Sequence, residues 1–588
     1  MNILALNCGS SSIKAAVIDV APAQRAIEIL VDELGAKNCT LRVDGGTESL
    51  PNADVRAALT RVLAIIGERS ELQLGAVAHR IVHGGETFVR PTRIDDAVMD
   101  DLISVSKLAP LHNPPALEGI RAARASFPSL PHIGVFDTAF HSTLPPRARD
   151  YALPTELREK LGIRRFGFHG TNHAHVMSSV ASFLKTTPQE LRIVSCHLGN
   201  GASAAAIEYG RSIETSMGMT PLEGLVMGTR AGDVDPGVLI AIQREAKLDV
   251  DQLDELLNKR CGLKGLTGTN DVREIEQRAS QGDESCRAAL TLYSHRVRKY
   301  IGAYAAVMGG VDVIAFTGGV GEGSASMRNR ILQRLEFLGA RIDVDRNHDA
   351  RVTHALPVQS IADEGSRVKL LVVCADEELQ MARDAAELLK ASKAAGPQRI
   401  PVAVSARHAH LSQRTIDGLF GAGYQLQPRT ALSQTGQYAA QESVTLVGPR
   451  GTLERVRLMG PPRAQDQIEI SRSDEFLLGI DAPVRISGDV SNTPGITLEG
   501  PKGRVRIASG VICARRHIHM STADAERLGL RDHDTVRVRI DSAGRDLVFE
   551  DVAVRVSPEF KLELHLDTDE ANAAGVDSNT TAELLPRD

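Results

Sequence analysis

The sequence predicts two units of different architecture: an α/β core built twice over, then a β-rich unit that is itself an internal repeat. Three observations carry this. Strand–glycine turn–strand segments recur in the first two thirds, at "ILALNCGSSSIKAAVID" (Ile3 to Asp19) and "RIVSCHLGNGASAAAIEYG" (Arg192 to Gly210). Strands there alternate with longer helical segments, an α/β texture. Near residues 390 to 400 the texture changes: "DEELQMARDAAELLKASKAA" has helical periodicity and "GPQR" breaks it. Beyond it, stretches such as "ESVTLVG", "TVRVRI" and "DLVFEDVAVRV" alternate as half-buried strands. There too the phrase Arg-His-x-His-x-Ser appears twice, in "VSARHAHLS" and "VICARRHIHMS".

Composition sets the bounds. At 588 residues the chain is too long for one domain. It is 42% hydrophobic and 24% charged, with a mean hydropathy of −0.12. A net charge of −6 leaves no footprint for nucleic acid or an anionic membrane. No apolar run approaches the ~20 residues of a membrane span, and "MNILALNCGSSS" lacks the basic start of a signal peptide. Seven scattered cysteines, with no Cys-x-x-Cys clip, fit a reducing cytoplasm.

In the first segment, the turn after the opening strand offers backbone N–H groups, the hydroxyls of Ser10, Ser11 and Ser12, and Lys14 just beyond. That is chemistry for holding phosphate. It is not a Walker A loop, and an ordinary hairpin turn would look similar. A third glycine turn, "VIAFTGGVGEGSA", follows an apolar strand, Val313 onward. A duplicated core with a cleft between its halves would grip a nucleotide from both sides. Polar clusters lie between the turns. "HRIVHGGE" carries His79, Arg80, His83 and Glu86, and "LAPLHNPPALEGI" carries His112 and Asn113 before a Pro pair, which reads as a loop. "VFDTAFHSTLPP" carries Asp137 and His141, and "RRFGFHGTNH" carries Arg164, Arg165, His169 and His173. "MGTRAGDVDPG" carries Arg230, Asp233 and Asp235. A lone histidine is more often structural than functional. Arg80 and Arg230 sit beside glycines and polar residues, where a guanidinium fork can grip a phosphoryl oxygen.

These motifs, in this order from Met1 to about Ala395, resemble acetate kinase, of the acetate and sugar kinase/Hsp70/actin superfamily. The resemblance implies a duplicated actin-like fold over 1–395, with halves at roughly 1–150 plus 370–395 and 151–369. It implies in-line phosphoryl transfer between ATP and a small carboxylate, with Mg2+, and a homodimer. By motif position it makes Arg80 and Arg230 the arginines that hold the carboxylate and the phosphoryl group. Asp137 would orient the acyl substrate, His169 would stabilise the transition state, and His112 would support it. Asn7 and Glu377 would form the magnesium site. Ser10, Ser12 and Lys14, "HLGNG" with His197, Gly199, Asn200 and Gly201, and the third turn with Gly319 and Gly321 would be phosphate and nucleotide loops. Asp271 and Arg273 in "NDVRE" would edge the adenosine. One departure stands out: Gly323 occupies the place where the family has Asn after the Glu.

In the C-terminal segment, residues i and i+2 of a strand face one side. His408 with His410, and His517 with His519, therefore each present two imidazoles on one face. "LELHLDTDEANAAG" adds His565 on a strand, and "GPPRAQDQIEIS" adds Arg463 and Glu469. Five imidazoles and a carboxylate can fill a two-zinc site with positions left for substrate. Two structural histidine pairs, or a chance repeat, are the plainer alternatives. Repetition in register with the same flanking Arg and Ser favours metal.

These phrases, from about Ile400 to Ala574, resemble the PduL-type phosphate acyltransferases. That resemblance implies two β-barrels related by an internal repeat within 396–588, with two zinc ions between them. His408, His410 and Glu469 would hold one zinc, and His517, His519 and His565 the other. Arg463 would bind phosphate, and Ser405 and Arg407 would contact CoA, with Ala406 standing where the family has Asn. The kinase occupies the place of the family's usual N-terminal targeting extension for microcompartments, so a cytoplasmic protein is expected.

Together the two resemblances imply one pathway through acyl phosphate, linking acyl-CoA to carboxylate and ATP, with acetyl as the first expectation. The rivals are a propanoyl enzyme, a chain with one activity and a regulatory second domain, and a metabolite sensor or scaffold. The intact Arg80, Arg230, His169 and Glu377 set and the six zinc-ligand candidates argue against loss of either activity.

Overall fold

The fold is that of a computed structural model, which describes all residues except 111–112, 395–398, 433, 435, 543, 578 and 586–588. It forms two compact units, Met1–Ser392 and Lys393–Asp588, against an expected division at 395/396. The linker residues Gly396 and Pro397 lie outside the described residues, as does His112.

The first unit is built around two sheets of matching strand order. In the first, Asn2–Cys8 runs antiparallel to Ser12–Asp19, which pairs in turn with Gln24–Asp32. On its other side Asn2–Cys8 runs parallel to Leu74–Ile81, then comes His132–Phe136, edged by the antiparallel Thr92–Arg93. In the second sheet Arg192–Leu198, Ala202–Glu208 and Arg211–Thr215 take the antiparallel places. Val313–Thr317 and Lys369–Val373 take the parallel ones, and Val358–Ser360 is the antiparallel edge. The parallel strands "HIGVF" and "VIAFT" are buried along their whole length, because helices cover both faces.

Three sequence expectations shift here. The Pro pair after His112 opens a helix, Asn113–Ser126, instead of lying in a loop. Proline suits a first helical turn, where its missing N–H has no partner to lose. The third glycine turn coils into a short helix, Gly318–Gly323. The chain returns to the first half after Val373 rather than at 370, because Lys369–Val373 pairs within the second sheet. Helix Glu377–Ala394 then lays Leu379, Met381, Ala382 and Ala385 against Ile3, Ala5, Ala78 and Val135 of the first.

The second unit holds a closed barrel and a nine-stranded sheet, so the two expected barrels appear as one closed barrel and one sheet. Its repeat is visible strand by strand. His408–His410 lies between Thr452–Gly460, parallel, and Gln467–Ile470, antiparallel. His517–Met520 lies between Leu547–Val556, parallel, and Glu563–Asp567, antiparallel. Each His-x-His strand is followed by a serine that caps a short helix, Ser412 and Ser521. The repeats also exchange strands. Arg399–Ser405, which precedes the first His-x-His, pairs with Glu563–Asp567 in the barrel of the second repeat. Val511–Ala514, which precedes the second, pairs with Gln467–Ile470 in the sheet of the first.

Candidate active sites

The first unit gathers its polar residues at the ends of the two central strands. Arg80, near the end of Leu74–Ile81, forks onto Asp137: Nε donates to Oδ1 at 3.2 Å and Nη2 to Oδ2 at 2.6 Å. Its Nη1 donates to Asn7 Oδ1 at 3.3 Å and lies 3.6 Å from Glu377 Oε2. Burial pulls this guanidinium down, but the carboxylates of Asp137 and Glu377 outweigh it and hold it above its ordinary value. Burial pushes Glu377 up, yet Arg80, His197 and Lys14 overcome that and keep the carboxyl below its usual range. Asn7 Nδ2 donates to Glu377 Oε2 at 3.4 Å, and Lys14 sits opposite Asn7 in the strand register. Thr171 Oγ1 donates to Asp137 Oδ1 at 2.8 Å.

His169 begins helix Gly170–Leu184 from the left-handed region, φ 57°. Gly170 follows it because a Cβ there would lie 1.9 Å from the Asp137 carbonyl oxygen. His169 stacks on His197 with ring centroids 4.3 Å apart. A methyl at Gly201 would sit 3.5 Å from the His169 ring and 3.8 Å from Arg230 Nη1, so glycine loop, imidazole and guanidinium converge at one point. Among the described residues the one partner of Arg230's side chain is Met227 Sδ, at 4.0 Å. Its Nε is buried without a hydrogen-bond partner, and desolvation lowers its pKa. A buried fork with no carboxylate is prepared for an anion from outside the protein.

The loops are joined to this point. Asn200 Oδ1 accepts from Asn270 Nδ2 at 2.9 Å, next to Asp271. Asp271 and Arg273 pair with each other at 2.8 Å on the surface. Gly319 and Gly321 lie in the short helix, whose Glu322 Oε1 accepts from Gly318 N at 2.8 Å and Ala375 N at 3.0 Å. The third glycine segment is thereby tied to the strand end that leads to Glu377. Ser12 O accepts from Gly9 N at 2.9 Å, which closes the first turn, and Ser10 is exposed within it.

In the second unit a cavity of about 760 Å³ is lined by His408, His410, Glu469, His517, His519 and His565 together. The backbone sets the tautomers. His408 Nδ1 donates to Ala406 O at 2.8 Å and His517 Nδ1 to Arg515 O at 2.9 Å. A carbonyl only accepts, so in both rings Nδ1 carries a proton and Nε2 is the nitrogen left for a ligand. Glu469 Oε1 accepts from Gln467 Nε2 at 2.6 Å and Ser487 Oγ at 2.8 Å. That leaves Oε2 turned to His408 Nε2, 3.6 Å away. One donor atom each from His408, His410 and Glu469 falls within 4.8 Å of the others, the spacing of a metal site. His517, His519 and His565 pack with ring centroids 4.7 to 5.1 Å apart.

Desolvation, with neighbouring imidazoles adding to it, takes His410 down to about 3, His517 to about 4 and His519 to about 2. The rings are neutral, the form that binds metal. His410 Nδ1 and both nitrogens of His519 are buried with no hydrogen-bond partner. His565 Nε2 lies 3.1 Å from Glu563 Oε2 without hydrogen-bond geometry. Orphaned imidazole nitrogens around a carboxylate fit a metal ion's demands.

Arg463, Ser405 and Arg407 line the same cavity. Ser405 Oγ is 3.3 Å from His565 Nδ1, and Arg407 pairs with Asp474 at 3.1 Å. Sequence reasoning missed Arg555, Gln467 and Ser487. Arg555 lines the cavity beside Arg463, neither side chain has an ion pair among the described residues, and burial lowers both guanidiniums. Arg555 lies over the Phe560 ring at 5.6 Å, and Phe560 stacks on His519 at 4.1 Å. Arg555 stands in register with His519 on the neighbouring strand, a placement that only the folded ladder brings about.

Comparison with known proteins agrees with this division. Residues 2–383 match the acetokinase family and residues 401–577 match phosphate propanoyltransferase. The acetate kinase of Clavibacter michiganensis subsp. michiganensis is 48% identical over 389 residues, 65% of this chain and 97% of that protein. The Porphyromonas gingivalis acetate kinase structure superposes with a TM-score of 0.62 at 39% identity, covering 66% of this chain and 99% of that one. A propionate kinase structure from Francisella tularensis subsp. tularensis gives 0.61 at 37% identity, covering 65% and 98%. The chain therefore belongs to the acetokinase family, and it carries a phosphate propanoyltransferase domain after its kinase.

Proposed function

We propose that the chain interconverts acyl-CoA and carboxylate through acyl phosphate: acetyl-CoA and phosphate give acetyl phosphate and CoA, and acetyl phosphate with ADP gives acetate and ATP. The observation that carries this is the presence, in one chain, of two anion-handling sites whose reactions share one intermediate.

In the kinase, the attacking carboxylate and the phosphate are both anions, so positioning and charge compensation are the task. Arg230, unpaired and desolvated, grips the transferring phosphoryl group. Asp137 holds Arg80 in place by its two-point contact and orients the acyl substrate. His169 donates to the phosphoryl oxygens. Asn7 and Glu377 would hold the Mg2+ that accompanies the nucleotide, which screens its phosphate charge. The glycine loops around Gly199, Gly201, Gly319 and Gly321, with Ser10, Ser12, Lys14 and His197, cradle the phosphates, and Asp271 and Arg273 edge the adenosine.

In the transferase, His408, His410 and Glu469 would hold one zinc and His517, His519 and His565 a second. Bound there, zinc would supply Lewis-acid polarisation of the thioester carbonyl and a seat for phosphate. Arg463 and Arg555 neutralise hydrogen phosphate as its oxygen bonds to the carbonyl carbon; the C–S bond breaks, the hydrogen phosphate proton goes to the sulfur, and CoA leaves as thiol. Ser405 and Arg407 contact CoA.

A second reading, propanoyl as the preferred acyl group, is favoured by the transferase match and by the propionate kinase likeness. A coupled assay of acyl-CoA, phosphate, ADP and Mg2+, following ATP, tests both. ATP from either acyl-CoA supports the pathway, the ratio of kcat/KM values names the acyl group, and no ATP from either refutes it.

A cytoplasmic homodimer is the setting we favour. All seven cysteines are free thiols, and among the described residues no helix is long and apolar enough to cross a membrane. Helices Pro236–Ala246 and Val250–Glu255 bury none of their residues and expose Val238, Ile240 and Val250, which a second copy would cover.

A further inference from the structure

His169 reaches the phosphoryl group as a donor only if its proton sits on Nε2, and a neutral imidazole has two tautomers of similar energy. Burial, reinforced by His197, holds His169 well below its ordinary pKa, and burial does the same to His173, so both rings are neutral. Something must choose between the tautomers. His169 Nδ1 lies 2.9 Å from Ser203 Oγ, the same oxygen lies 2.9 Å from His173 Nε2, and His173 Nδ1 lies 2.8 Å from Ser195 Oγ. Ser195 and Ser203 are fully buried, on the adjacent strands Arg192–Leu198 and Ala202–Glu208. His173 is fully buried too, one turn of helix beyond His169.

This chain of four groups can be protonated in two directions. In the first, Ser195 O–H donates to His173 Nδ1, His173 Nε2–H donates to Ser203 Oγ, and Ser203 O–H donates to His169 Nδ1. Each buried proton then has an acceptor, and the remaining proton of His169 is on Nε2, facing Gly201 and Arg230. In the reverse direction His169 Nδ1–H donates to Ser203 and His173 Nδ1–H to Ser195. The Ser195 hydroxyl proton then has nowhere to go, since Ser195 Oγ has no other hydrogen-bond partner among the described residues. A buried donor left unmet is the costlier state. The reverse direction would also turn the Nε2 lone pair of His169 toward an anion.

We infer that Ser195, His173 and Ser203 form a one-way chain of hydrogen bonds that fixes His169 as its Nε2–H tautomer, with Ser203 and His173 as positioning residues for phosphoryl transfer. The same device is visible next door, where His141 Nε2 donates to Phe168 O at 3.1 Å and its Nδ1 accepts from Ser212 Oγ at 2.8 Å. The inference rests on the reading of His169 as the transition-state donor.

The test is a double-mutant cycle in the full chain. Kinase kcat and the KM values for ATP and acetate are measured for His169→Ala, Ser203→Ala, Ser195→Ala and the His169→Ala/Ser203→Ala pair. The acyltransferase rate of each preparation normalises active protein. Ser203→Ala is expected to lower kcat about tenfold with KM little changed, the lower end of the effect of losing a partner that orients a working imidazole. Ser195→Ala should give a smaller loss in the same direction. Ser203→Ala should add nothing once His169 is alanine, because its effect acts through that ring. An equal loss in both backgrounds overturns the inference and leaves Ser203 structural. Selective 15N-histidine NMR decides it independently, should Ser203→Ala fail to fold. A pyridine-type Nδ1 and pyrrole-type Nε2 at His169 are expected, and the reverse pattern overturns the chain. A His169→Ala enzyme of undiminished kcat would instead remove the reading of His169 itself.

Discussion

Both units of this protein are duplications, and they treat their copies oppositely. In the kinase the two sheets keep strand order while their residues diverge. Asn7 precedes the last residue of its strand just as His197 does in the other sheet, and Lys14 faces Asn7 as Ser203 faces His197. One scaffold position thus holds an amide beside an ammonium in one copy and an imidazole beside a hydroxyl in the other. In the transferase the copies keep their chemistry. His408 and His517 share a backbone-carbonyl partner pattern, and Glu469 and His565 occupy corresponding places across the ladder. The lesson is about what each reaction needs. Phosphoryl transfer between two anions needs two unlike walls. The proposed pair of metal ions would be served by two near-identical ones, differing by one carboxylate that would lower the charge of the first site.

The comparison can be broken where the copies are alike. His517→Ala removes a ligand from the second set and leaves the first intact. Acyl phosphate formation from acyl-CoA should fall by on the order of 10³-fold, since Lewis-acid assistance is worth several kcal/mol. Elemental analysis should read close to two zinc per wild-type chain and about one in the variant, with kinase activity kept. Active protein free of transition metal would end the zinc reading.

Where the copies are unlike, the fragile group is the unpaired one. Arg230→Ala should lower kinase kcat by at least ~10²-fold, the loss typical of one preorganised charge-stabilising donor. Acyl phosphate formation should be unchanged, and a joint fall in both activities would deny that the sites are independent.

A finer asymmetry sits inside the transferase. The residue in register with His519 is Arg555, whereas the one in register with His410 is Met459. Arg555→Met makes the copies alike at that place. The KM for inorganic phosphate should rise about tenfold, or about 1.4 kcal/mol, with bound zinc unchanged; an unaltered phosphate KM would confine Arg555 to packing on Phe560. The smallest effect is expected at Gly323, where a Cβ would meet nothing within 4 Å. Gly323→Asn should fit and lower the KM for ATP by a few-fold, about 0.5–1.5 kcal/mol for one added hydrogen bond.

How much of this was legible in the sequence follows the same divide. The doubled Arg-His-x-His-x-Ser could be read because a period-2 strand puts alternate residues on one face, and the barrel and sheet hold them there. The glycine turns at Gly9 and Gly199 could be read because a tight turn between two apolar strands has few other compositions. The Pro pair after Asn113 misled, since proline marks a helix's first turn as readily as a loop. Ser203 and Ser195 could not be found at all. A serine in an apolar strand has no periodic signature, and its importance comes from a helix that packs over it from elsewhere in the chain. Arg555 was hidden similarly, inside a strand whose alternation reads as ordinary.

The exchanged strands of the second unit have a consequence for how the chain is made. Arg399–Ser405 is the first strand of that unit to leave the ribosome, yet its partners are Glu563–Asp567 and Thr581–Leu584, among the last. Its hydrogen-bonding edges stay open through nearly all of the unit's synthesis. The kinase ahead of it can finish folding on the way, since domains generally fold as units, the N-terminal one first. The barrel behind it cannot close until Thr581–Leu584 has emerged, and contacts so distant in sequence close slowly. A truncation that removes only Thr581–Leu584 would therefore strip one partner from the unit's earliest strand, leaving a complete kinase attached to an unfinished barrel.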